Sequence, residues 1–137
     1  MKTLSTIKYL FVFLLFAGMG CEETILEQGF TIGKEASFQV NQLYTSASGQ
    51  YTLKITQVSD SRCAEGVQCV WQGEVTVKGE WTENTNKSTF EIHSVVSTQT
   101  KQPDGYTIQI VDAKPYPKYG TESKPEDLIV TLLVQKK

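Results

Sequence analysis

The chain has 137 residues, 39% of them hydrophobic and 20% charged, with a formal net charge of −2. That length suits one domain with its own core. The acidic balance, with no Lys/Arg cluster beyond Lys136 and Lys137, excludes a surface built to track phosphates, so no nucleic acid is expected as a partner.

The chain opens in three zones. Residues 1–8 carry Lys2 and Lys8 and no acid, residues 9–17 (YLFVFLLFA) are an unbroken apolar run, and Gly18, Met19 and Gly20 precede Cys21. A positive start, a short apolar core and a small-residue exit make the pattern of an export signal. A membrane-spanning helix needs ~20 apolar residues, which this run does not supply.

Gly18-Met19-Gly20-Cys21 resembles the lipobox, the cleavage motif of bacterial lipoproteins, although Gly18 stands where that motif favours Leu. The resemblance implies that Cys21 carries acyl chains and becomes the mature N-terminus, with the lipid bilayer as its partner. Ordinary cleavage after Gly20 is the alternative. Glu22 and Glu23 resemble the surface-export signal of Bacteroidetes lipoproteins, and equally suit a solvated tether. The expected organisation is a signal peptide (1–20), a lipidated tether (21–28) and a single β domain (29–137). The expected place is the cell envelope, on the periplasmic or surface side of an outer membrane. Without Lys2 and Lys8 the mature chain has 11 basic and 15 acidic residues, a charge of −4.

Beyond the tether, apolar residues alternate with polar ones and helical periodicity is nearly absent. Ala36, Phe38 and Val40 form the first alternating set and Tyr51, Leu53 and Ile55 the second. Val58 breaks the second set, which predicts a bulge or a strand end. Cys69, Trp71, Val75, Val77 and Trp81 share one parity, predicting a long strand over 69–81. Phe90 and Ile92, then Tyr106, Ile108 and Ile110, then Leu128, Val130, Leu132 and Val134 complete the series. Turn-forming stretches at 46–49, 83–86, 102–105 and 118–124 separate them. About seven short strands of this kind predict an all-β fold, an antiparallel β-sandwich or small barrel. Pro125 suits the first position of a short helical turn over 125–127.

With Cys21 acylated, Cys63 and Cys69 remain, and an exported chain reads such a pair as a disulfide. Five intervening residues do not fit the C-x-x-C redox motif, and two cysteines with one histidine are too few for a zinc site. No metal and no cofactor are expected. Asp60 and Ser61 are residues that bond nearby backbone N–H groups and set a turn, and Arg62 has Asp60, Glu65 and Glu74 as acidic partners within reach. Trp71, on the apolar parity beside the disulfide, is expected in the core and to be more buried than Trp81.

Asp60, Ser61, Arg62, Cys63, Val67, Cys69, Trp71 and Gly73 resemble a motif of small bacterial secreted proteins and lipoproteins, and residues 112–117 resemble the Pro-Tyr-Pro segment of the same family. Many members have Pro after the first cysteine, where this chain has Ala64. The resemblance covers 60–73 closely and the rest of the mature chain loosely, and it brings no activity with it.

No nucleophile has a local motif around it, and no catalytic residue is assigned. His93, the one histidine, opposes the parity of Phe90 and Ile92 and is expected to face solvent. The candidate ligand contacts are Arg62 and Trp71, together with Tyr116 and Tyr119 in the proline-bounded stretch 114–120, which also reads as a plain connection covering the sandwich end. The leading expectation is a non-enzymatic module binding a protein or glycan, or serving an envelope-structural role. The alternatives are a protease-inhibitor-like module and an enzyme whose site is assembled from distant loops.

Overall fold

A computed structural model describes residues 28–95, 101–121 and 123–137. Among them eight strands form two sheets: β1 (Gly29–Phe30), β2 (Glu35–Gln39), β3 (Leu43–Ser46), β4 (Tyr51–Asp60), β5 (Val75–Glu83), β6 (Asn86–His93), β7 (Tyr106–Lys114) and β8 (Ile129–Lys136). The five-stranded sheet runs β1-β3-β4-β5-β6 and the three-stranded sheet runs β2-β8-β7. Neither sheet closes into a barrel. All pairs are antiparallel except β1 with β3. The fold is all-β, as the alternation predicts, and of sandwich type.

The inward residues of both sheets make one core. Leu53, Ile55, Val77, Phe90 and Ile92 face Phe38, Ile108, Val130, Leu132 and Val134 across it. At one end the packing is aromatic. Phe30 meets Phe38 edge-on, Tyr51 stacks on Trp81, and Trp81 also packs on Tyr106. The Tyr106 hydroxyl donates to the Tyr51 hydroxyl at 2.7 Å, tying the two sheets by a polar contact inside an apolar cluster. That bond, with burial, pushes the Tyr106 phenol up to about 12.

The break at Val58 is a bulge. The register of β4 on β5 shifts between Ile55 and Gln57, which returns Val58 to the core side. The 125–127 turn is a single turn of 3-10 helix beginning at Pro125. It delivers the buried Leu128 to the core just before β8.

Three expectations need correction. The strand predicted over 69–81 begins only at Val75, because Gly73 takes a left-handed backbone (φ 68°) and residues 69–74 are irregular. Parity counted through such a glycine carries no information. Trp71 is accordingly 67% exposed while Trp81 is 2% exposed, the reverse of the expected order. His93 does oppose Phe90 and Ile92, yet its side chain is only 13% exposed, with Nδ1 3.1 Å from Thr76 Oγ1 and 3.2 Å from Glu74 Oε1. Strand β3 had no clear signal, since its inward residues are Tyr44 and the polar Ser46. Buried Ser46 accepts the Tyr51 N–H at 3.1 Å, which fixes the β3–β4 turn.

The outer strands are guarded. Lys101 exchanges two backbone hydrogen bonds with Glu91 on β6. The Gln102 side-chain amide bonds both the N–H and the C=O of Ile108, occupying a ladder position on the free edge of β7. Such edge cover is a usual defence against pairing with another chain.

Candidate functional site

The β4–β5 hairpin continues past the sheet. Ser61 N–H donates to the Glu74 carbonyl at 2.9 Å, the Glu74 N–H donates to Ser61 Oγ at 3.1 Å, and Cys63 N–H donates to the Gln72 carbonyl at 2.8 Å. Beyond that point Cys63 and Cys69 are joined by a disulfide, with Cα atoms 5.9 Å apart. Gly66, with φ 84°, turns the loop between them.

This stapled loop is held against the 115–118 connection. Asp60 grips Arg62 with both carboxylate oxygens, Nε–Oδ1 at 2.9 Å and Nη2–Oδ2 at 2.6 Å, and also accepts the Arg62 backbone N–H at 3.0 Å. A two-pronged pair of this kind fixes direction as well as charge. From there the guanidinium reaches the Pro115 carbonyl at 3.3 Å and lies 4.4 Å from the Tyr116 ring centre, a cation–π contact. Its bond to Asp60 holds the guanidinium above its usual range. The Lys114–Pro115 peptide is cis. Glu65 N–H donates to the Pro117 carbonyl at 3.0 Å, and Glu65 bridges Lys118 in parallel. The two stretches 60–73 and 112–117 are thus one corner of the molecule. Beside it the Lys114 ammonium, hydrogen-bonded to Asp112, holds that carboxyl below the usual carboxylate range.

The four candidate contacts fare differently. Arg62 is held by Asp60, Pro115 and Tyr116, its side chain only 13% exposed, so it braces the corner. Tyr116 gives one face to Arg62 and keeps partial exposure. Trp71 and Tyr119 project from the corner, both largely exposed. Two further residues join them: Val67, a residue of the motif-like stretch, is partly exposed, and Val70, which sequence reasoning did not single out, is wholly so. Their signal was the apolar pair Val70-Trp71 directly after a cysteine, legible only once the strand is known to start later.

A cavity of about 290 Å³ lies where β6 and β7 part, lined by Ile92, His93, Ser94, Gln102 and Ile108 among others. His93 is in its wall, with Glu74 Oε1 3.2 Å from its Nδ1, while Arg62 is not part of the lining. Among the described residues no three His, Cys, Asp or Glu side chains are grouped to hold a metal. Cys21 and residues 1–20, expected to be a signal peptide, lie outside the described residues.

Comparison with protein-family models, with curated proteins and with solved structures finds no match to this chain.

Proposed function

We propose that the chain is an exported lipoprotein of the bacterial cell envelope, held by acyl chains on Cys21, whose β-sandwich works by contact and without catalysis. The family resemblance of 60–73 and 112–117 and the lipobox-like Gly18-Met19-Gly20-Cys21 support the exported, lipid-anchored part of this reading.

One observation carries the contact role. The stapled corner presents Val70 and Trp71 outward on a backbone that the disulfide, the Asp60–Arg62 pair and the 115–118 connection all restrain. A large aromatic on a rigid loop contributes contact area at little entropic cost. Arg62 is committed to Asp60 and does not line the β6–β7 cavity that His93 borders, which favours this reading over an enzyme with a site assembled from loops.

Photo-crosslinking in the intact envelope tests the contact role. A photoreactive residue in place of Trp71 should yield a defined product, and one in place of Thr89, exposed on β6, should not. No product at position 71 would remove the corner as the working surface.

A further inference from the structure

We infer that the stapled loop 63–72 is a second membrane contact: its tip, Val67, Val70 and Trp71, sits in the interface of the bilayer that holds Cys21. The inference rests on the lipoprotein reading and names the partner of the same corner.

Strand direction carries it. β1 runs parallel to β3, with Gly29 opposite Thr45 and Phe30 opposite Ser46. β3 runs antiparallel to β4, with Thr45 opposite Thr52. β1 therefore runs against β4, and the chain arrives at Gly29 from the Asp60 end of the sheet. That is the end from which the stapled loop projects.

Length agrees with direction. Eight peptide steps separate Cys21 from Gly29, a reach of about 26–29 Å at full extension. Eight residue steps also separate Thr52, level with Gly29, from Asp60 along β4, at ~3.3 Å each less the bulge. That reach is long enough for Cys21 to come level with the Asp60 corner. The loop continues past that corner by the Ser61–Glu74 and Cys63–Gln72 pairings. A bilayer beyond the Asp60 end, within reach of the acyl chains, meets the loop first.

The chemistry of this end suits a lipid interface. Tryptophan and tyrosine favour the headgroup level, and lysines there reach outward to water and phosphate. Trp71 and Tyr119 are exposed, Lys118 precedes Tyr119, and Lys114, paired with Asp112, lies on the same stretch. Between Cys63 and Gln72 the loop has a single charge, Glu65, and the backbone of that residue is drawn toward Pro117 and Lys118. The disulfide keeps the tip folded without any apolar core beneath it.

The test uses the full mature lipoprotein, purified from its own membranes and reconstituted in vesicles of phosphatidylethanolamine and phosphatidylglycerol, with or without brominated acyl chains. The Trp71 signal is the difference between the wild type and Trp71→Phe. The expected result is loss of most of that signal with brominated lipid, protection from aqueous iodide, and reversal of both by Val70→Glu. Trp81, in the core, reports that each variant is folded. An acylated protein whose Trp71 stays open to iodide and untouched by brominated lipid overturns the inference and leaves the lipoprotein reading standing. An N-terminal peptide whose mass shows no acyl chain on Cys21 overturns both. Photo-crosslinks from position 71 that go to an envelope protein instead of lipid overturn it in favour of a protein partner.

Discussion

Gly73 lies so close to the carbonyl of Ser61 that a Cβ built on it would overlap the oxygen. The same glycine has φ 68°, so two separate constraints meet at one position, where the hairpin leaves the sheet and becomes the stapled loop. Gly66, at the loop's turn, has φ 84° and open space around it.

Gly73→Ala should therefore cost more than Gly66→Ala. The left-handed backbone alone costs roughly 1–2 kcal/mol for a residue with a Cβ, which is the whole of the expected effect at Gly66. At Gly73 the overlap with Ser61 adds to it and forces the hairpin apart. Urea midpoints of the two variants check the order, and equal shifts would refute the close approach.

The two tryptophans should separate widely. Trp81→Ala removes a side chain packed among Phe30, Tyr51 and Tyr106 and should cost ~3–5 kcal/mol. Trp71→Ala removes an exposed side chain and should stay within about 0.5 kcal/mol of the wild type. Chemical denaturation followed by far-ultraviolet dichroism distinguishes them.

Replacing Arg62 tests the brace. Arg62→Ala leaves the Asp60 carboxylate, 7% exposed, without its guanidinium, and losing hydrogen bonds to a charged group costs on the order of 1.5–3 kcal/mol. Arg62→Lys should recover only part, since an ammonium cannot make the two-pronged contact. Hydrogen exchange should show the Glu65 amide, bonded to Pro117, losing protection in both variants.

Cys63 and Cys69 close a short loop, and removing the bridge by a double Ser variant should cost about 2.4 kcal/mol by the chain-entropy relation. The sheets are complete without it, so the dichroism spectrum should keep its β form while the melting temperature falls.

Alkaline titration should single out Tyr106. Its folded value of about 12 lies above the ordinary 10.0, because ionisation would forfeit the hydroxyl it donates to Tyr51. A raised folded value means stability that is complete below pH 10 and declines as pH rises toward 12. Tyr51→Phe should bring the Tyr106 midpoint down, read by phenolate absorbance; an unchanged midpoint would exclude the bond as the cause.

How much could be read from the sequence differs by element. In β6 and β8 the apolar side chains of one parity go to the core, and in β4 and β7 they do so up to a bulge that moves Val58 and Ala113 to the inner face, because a strand with one buried face must alternate. The disulfide was also legible, as a cysteine pair in a chain whose first residues read as an export signal. The 60–73 segment failed for a definite reason. Its apolar parity runs unbroken from Cys69 to Trp81 on paper, but a left-handed glycine makes the pleat lose count, and nothing local tells that Gly73 is left-handed.

What the sequence by itself determined is therefore the class of fold, most of the core and the staple, all of which follow from alternation and composition. Tertiary structure alone decided that Arg62 is a strut and Trp71 a surface residue. It also decided that 60–73 and 112–117 form one corner, and that β1 runs against β4, so that the chain enters Gly29 from the end of the sheet that carries the stapled loop. Those relations depend on contacts between residues about fifty positions apart and on the order of strands across a sheet, which short-range patterns do not encode.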